Sequence, residues 1–190
     1  AELMAALGRA TTYAYQHGTT IIASAGNDAI NGDKDKDGLH VPADAPHVLS
    51  ISATGPLGWA LDPSTDLDVP AIYTNYGRSA IDFAAPGGNV DVELEESGLW
   101  CFVSGVLAPC WAFDLVFSTV EDGGYGWAAG TSMAAPHVSG VAALIISQNG
   151  GSMKPPHVER ELRHAADDLG QPGNDPFYGN GRVNAERAIH

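Results

Sequence analysis

Apolar residues recur at helical spacing at the start of the chain and form unbroken runs soon after. Leu3, Leu7, Ala10 and Ala14 return every three or four positions, and Gly18 follows where a helix would stop. The next stretch, TTIIASAG (19–26), is apolar on consecutive positions and rich in β-branched residues, the pattern of a strand covered on both faces. A polar loop over 27–46 leads to HVLSISAT (47–54), a second strand, after which turn-forming residues dominate to about position 79. AIDFAAPGG (80–88) reads as a third strand running into a turn, and 89–126 carries no sustained period and reads as a long irregular segment. Two helices close the pattern. SMAAPHVSGVAALIISQ (132–148) is stopped by Asn149, Gly150 and Gly151, and PPHVERELRHAADDL (155–169) follows with proline at its start. Strands alternating with helices predict a single α/β domain over 1–190 with a largely parallel sheet.

Charge narrows the classes of partner. The chain has 9 Lys+Arg against 23 Asp+Glu, a formal net charge of -14. Such a surface repels phosphate backbones and anionic membranes, so nucleic acid and membrane are not expected partners. The first residues, AELMAALGRATTYAYQHG, lack a basic start followed by an apolar core and read as a helix already under way rather than a signal peptide. Cys101 and Cys110 are too few for a zinc ribbon and can form one disulfide in an exported protein.

The stretch GTSMAAPHVSGVAAL (130–144) raises a question of chemistry. A helix starting near Ser132 places Pro136 within the first turn or just past it, where a missing N–H costs little. Ser132 then lies at the positive end of the helix dipole, which favours negative charge developing nearby. Ala134, Ala135, Gly140, Ala142 and Ala143 let the helix lie close against a sheet. These residues alone suit either a serine capping a tightly packed core helix or a reactive serine.

GTSMAAPHVSGVAAL resembles the nucleophile motif of the subtilisin-like serine proteases, the subtilases. IIASAGND, VPADAPHVLSISAT and TNYGRSAIDFAAPGG resemble further segments of that family in the same order, and YGNGRVNAERAI resembles the lead-in to its C-terminal helix. The resemblance implies a three-layer α/β sandwich with a largely parallel sheet, of which this chain is the C-terminal portion. It implies a serine endopeptidase acting on peptide or protein substrates, secreted or extracellular, with no cofactor for catalysis. Ser132 would be the acyl-forming nucleophile and Asn27 the donor to the oxyanion. Removing one such donor in a subtilisin costs on the order of 100- to 1,000-fold in turnover. Ala25 and Gly26 would line the substrate pocket, with Gly130 and Thr131 helping to shape it.

A serine hydroxyl needs a base, and the base needs an orienting carboxylate. The family's order is aspartate, histidine, serine, and here no stretch resembles its aspartate motif. His17, in HGTT, echoes a family motif but ends the helix before the oxyanion strand, a position that the dipole favours for a histidine. His137 lies on the nucleophile's own helix and is expected to point away from Ser132. His40, His47, His157, His164 and His190 match no catalytic position. The expectation is a complementing N-terminal subtilase segment that supplies both groups, or else a non-catalytic subtilase-like module that binds peptides or a partner.

Two segments lie outside that reading. DKDKDG places Asp33, Asp35 and Asp37 at alternate positions before Gly38, with Asp44 at the twelfth, a spacing that wraps carboxylates around a structural calcium or marks a solvated acidic turn. The segment at about 90–119 reads as an insertion. No charge occurs from Leu99 to Phe113, yet Gly105 and Pro109 interrupt the run and it is too short to span a membrane. A hairpin stapled by Cys101 and Cys110 is expected, its apolar face covering the sheet, extending a cleft or docking a partner.

Overall fold

The structure is a computed structural model that describes residues 2–35 and 38–190. The first helix, α1 (Glu2–Gln16), leads into β1 (Ile21–Ser24), and β2 (Val48–Thr54) and β3 (Phe83–Pro86) complete a parallel sheet in the order β1-β2-β3. Ile21 pairs with Val48 and Ile51 with Phe83, so all three strands point their C-terminal ends the same way. Every residue of β2 is buried, as a central strand requires.

Alternation along the strands divides the core into two layers. Leu49, Ile51, Ala53, Phe83 and Ala85 pack with Ala134, Val138, Val141 and Ile145 of a long helix on one face. Ala23 and Val48 point the other way and meet Ala43, Ala45 and Leu7 of α1. The result is helix, sheet, helix, the three-layer arrangement expected.

The segment over 89–126 is not irregular. Asp91 caps α2 (Val92–Ser97), its Oδ1 accepting from the Leu94 N–H at 2.9 Å, and Gly98 ends it at φ 64°. β4 (Trp100–Val103) pairs antiparallel with β5 (Val106–Pro109), and Cys101 and Cys110 are joined across the pair. A 3₁₀ turn (Cys110–Asp114) then leads to a second hairpin, β6 (Val116–Thr119) with β7 (Tyr125–Ala128). These strands are four residues long and carry apolar groups outward, with Trp100 64% and Phe102 72% exposed, so the usual alternation is missing from the sequence.

From β7 the chain enters α3 (Thr131–Gln148), and α4 (Pro155–Ala165) packs beside it through Val158 and Leu162. Pro136 lies just past the first turn of α3, as expected, but its missing N–H is not one of the orphan donors. With Thr131 as the first helical residue, proline at 136 lacks the N–H that would meet the Ser132 carbonyl. The same helix carries no charged residue. Its core face is buried, whereas Ser132, Pro136, His137, Gly140, Ala143 and Leu144 face solvent. No helix among the described residues is long and apolar enough to cross a membrane.

Candidate active site

Parallel sheets place their functional loops beyond the C-terminal ends of the strands. The turn after β1 carries Asn27, and the turn after β3 begins at Gly87. Between them stands the N-terminus of α3, which has Gly130 as its cap and no local side-chain cap. Its first orphan donors are satisfied from far along the chain instead. The Gly130 N–H donates to the Gly87 carbonyl at 2.9 Å, and the Thr131 N–H donates to Asn27 Oδ1 at 2.9 Å.

Thr131 ties the site together. Its buried hydroxyl donates to Asn27 Oδ1 at 2.8 Å and accepts from the Gly26 N–H at 3.2 Å. Two donors on Oδ1 fix the orientation of the Asn27 amide, because only oxygen can accept both. The Nδ2 end is thereby turned outward and has no protein partner among the described residues. The Ser132 N–H is likewise without a protein partner among them.

The two free donors converge beside Gly130. A Cβ built on Gly130 would lie 3.4 Å from Asn27 Nδ2 and 3.7 Å from Ser132 N, and the glycine adopts φ 155°. A side chain there would crowd both donors and the Met133 sulfur 3.6 Å away, and glycine leaves that space clear. Ser132 itself is exposed in the first turn of α3. The arrangement suits an anion held by one side-chain amide and one backbone amide at a helix N-terminus.

Ser132, Met133, Pro136 and His137 form one wall of a groove of about 590 Å³ whose other wall is Val116 and Trp127 of the second hairpin. His137 Nδ1 lies 2.8 Å from the Met133 carbonyl oxygen, which can only accept, so Nδ1 carries the proton and is turned back on its own helix. His17 makes the same contact with Tyr13 at the end of α1. Ala25 is buried behind the Asn27 turn, and Gly26 adopts φ 107° in front of it.

The acidic loop has a different occupation. Asp33 Oδ2 accepts from the Arg78 N–H at 2.8 Å, and Oδ1 accepts from the Ser79 N–H and hydroxyl at 2.9 and 2.6 Å. Asp44 Oδ2 accepts from the His40 N–H at 2.7 Å. Asp37 lies outside the described residues, among which no group of three or more His, Cys, Asp or Glu is placed to hold a metal. Asp33 thus caps the 78–79 turn, and no catalytic step is assigned to calcium.

Sequence reasoning passed over Asn75. It is 4% exposed and clasps the Asn27 turn from behind, although the polar TNYG around it signalled only a turn. Also unforeseen was Asp114, 1% exposed, whose carboxylate accepts from the N–H groups of Gly58 and Trp59 at 2.7 and 2.8 Å. Burial raises its pKa above the usual carboxylate value, while those two N–H donors and the nearby Asp91 act in opposite directions.

The sequence profile of the Subtilase family (peptidase S8) matches residues 2–181. The chain is 33% identical to an extracellular protease of Xanthomonas campestris pv. campestris, over 93% of this chain and 24% of that protein. It is 26% identical to thermitase of Thermoactinomyces vulgaris, over 96% of this chain and 48% of thermitase. A crystal structure of a lanthipeptide protease superposes with a TM-score of 0.75 at 31% identity, covering 98% of this chain and 55% of that one. The epidermin leader peptide processing serine protease of Staphylococcus aureus gives 0.74 at 26% identity, over 97% and 43%. The chain therefore spans from about a quarter to about half of the length of these relatives.

Proposed function

This chain belongs to the subtilase family, and from that premise we propose that it is the C-terminal part of a serine endopeptidase domain, with Ser132 as nucleophile. The observation that carries the reading is the convergence of Asn27 Nδ2 and the Ser132 N–H beside Gly130, next to an exposed serine hydroxyl. Ser132 Oγ adds to the carbonyl carbon of a peptide bond, and its proton passes to a base. Charge gathers on the former carbonyl oxygen, which takes hydrogen bonds from both donors. Collapse of this intermediate breaks the C–N bond, the amine leaves with the proton, and water then hydrolyses the acyl-enzyme.

The base and its carboxylate come, on this reading, from an N-terminal subtilase segment. Among the described residues no hydrogen bond joins a histidine to Ser132, and the Nδ1 atoms of His137 and His17 meet carbonyls of their own helices rather than an orienting carboxylate, which supports looking elsewhere for the pair. The solvent side of α3 supports the same reading, because it carries no charge and exposes Pro136, Ala143 and Leu144 beside its few polar residues. Ala25, Gly26, Gly130 and Thr131 border the bound peptide. Export is part of the proposal, in keeping with the Cys101–Cys110 disulfide and the extracellular relative.

Fluorophosphonate labelling with mass mapping tests it. In the full-length protein that carries this chain the label is expected on Ser132, and Ser132→Ala abolishes it; the isolated chain stays unlabelled. A folded full-length protein with Ser132 unlabelled would leave the peptide-binding module as the better account.

A further inference from the structure

The Asn27 turn is held from behind by one side chain. Asn75 Nδ2 donates to the Ala25 carbonyl at 2.9 Å, while Asn75 Oδ1 accepts from the Asp28 N–H at 3.0 Å and the Ile30 N–H at 3.1 Å. The Asn75 backbone N–H adds a fourth contact, to the Gly26 carbonyl at 3.0 Å. One residue thus grips the turn on both sides of Asn27 and leaves Asn27 itself free.

The grip answers a conformational need. Gly26 at φ 107° and Ala29 at φ 52° bracket Asn27, and alanine in the left-handed region is unfavourable without compensating contacts. Asn75 supplies them on one side of the bend and Thr131 on the other. A Cβ placed on Gly26 would collide with Asn75 Nδ2, so the glycine and the asparagine fit as a pair.

The geometry points to Asn75 as a positioning residue for oxyanion stabilisation, acting through Asn27. The inference rests on Asn27 being the oxyanion donor. Thr131 fixes which end of the Asn27 amide faces outward, and Asn75 fixes where the backbone carries it. Both are needed, because a donor displaced by about 1 Å forfeits much of its effect on the transition state. The Asn75 side chain matches the turn group for group, with an amide donor for one side and a doubly accepting oxygen for the other. Aspartate in its place would keep the two acceptors and set a carboxylate against the Ala25 carbonyl. Serine would be too short to reach both sides.

The test uses the full-length protein and its Asn75→Asp, Asn75→Ser and Asn27→Ala variants, singly and combined, with a chromogenic peptide substrate. Asn75→Asp is expected to lower kcat roughly 10- to 100-fold with KM within about twofold. The Asn27→Ala, Asn75→Ser double variant is expected to be no slower than Asn27→Ala alone, because the clasp has nothing left to position. In Asn75→Ser the Asp28 and Ile30 amide protons should exchange at least about tenfold faster than in the parent protein. Fully additive losses in the double variant, a change confined to KM, or unchanged exchange at Asp28 and Ile30 would overturn the assignment. A distinct result, no loss of kcat in Asn27→Ala itself, would overturn the oxyanion reading beneath it, and the exchange data would then report only a structural clasp.

Discussion

The wall around Asn27 and the paired hairpins over 100–128 stand on either side of Ser132, and they are built by opposite means. In the wall, small residues are tied by hydrogen bonds between distant parts of the chain: Asn27 to Thr131, Asn75 to Ala25, Gly130 to Gly87. The hairpins are local. β4 pairs with β5 and β6 with β7, and the disulfide joins residues only 9 apart in sequence. The wall buries Asn75 and Thr131 behind an exposed Asn27, whereas the hairpins expose Trp100, Phe102, Leu107 and Tyr125. Position to a fraction of an ångström therefore belongs to the wall, where each donor is constrained from two directions. The first hairpin is tied to the rest of the chain mainly through Asp114 and the loop after β3, whereas β7 runs directly into the start of α3.

The largest break in that contrast is expected from Gly87→Ala. The new methyl group would lie 2.5 Å from Ala53 Cβ and 2.8 Å from the Gly130 carbonyl oxygen, so either the sheet or the start of α3 must move. A stability loss of about 2–3 kcal/mol in urea unfolding is expected. Labelling of Ser132 in the full-length protein should fall by roughly tenfold or more, because Gly87 seats the cap of α3. Unchanged labelling would mean that the wall is softer than its hydrogen bonds imply.

Asp114 tests the joint between the two regions. Replacement by alanine leaves the Gly58 and Trp59 N–H groups without their acceptor, at a cost of about 2 kcal/mol. The charge also has a pH signature. Burial raises the folded-state pKa of Asp114 above the unfolded value, so the folded protein binds this proton more tightly. Its contribution to stability is thus greatest below the unfolded pKa and declines as pH rises through the folded pKa. Asp114→Asn should flatten that slope in urea titrations at stepped pH while costing less than alanine. A slope unchanged in the asparagine variant would assign the pH dependence to Asp82 or Asp68, whose pKa values burial also raises.

How much of this was legible in the sequence follows the same division. The strands β1, β2 and β3 and the helices α1, α3 and α4 were readable because their apolar residues repeat at the period of a buried face. Ser132, Asn27 and Thr131 were singled out by the long motifs around them, and the structure brings them together at the start of α3. Asn75 was not, since its partners Ala25, Asp28 and Ile30 lie some 45 to 50 residues away and no local pattern announces such a clasp. The β4–β5 hairpin and its Cys101–Cys110 bond were expected from the cysteine pair, whereas β6–β7 escaped for the converse reason. Their apolar residues face solvent, and period-based reading assumes that apolar means buried. The acidic loop left two readings open, alternate aspartates around a cation or a solvated acidic turn, and no local pattern announced that Asp33 reaches the 78–79 turn some 45 residues away.

The smallest effect is expected from the disulfide. For a loop of this length, loss of chain entropy in the unfolded state gives roughly 2–3 kcal/mol as an upper bound. The cysteines sit at the base of a hairpin whose strands already pair from Trp100 with Pro109 to Val103 with Val106, so part of that ordering survives reduction. Replacing both, Cys101→Ser with Cys110→Ser, should therefore cost about 1–2 kcal/mol by urea unfolding, with Ser132 labelling unchanged. Buried Cys110 adds a packing loss that exposed Trp100 would not, which places the effect at the base of the hairpin rather than its tip. Were labelling to fall in step with stability, the hairpins would have to be counted with the wall around Asn27, and the division between the two regions would fail at its weakest join.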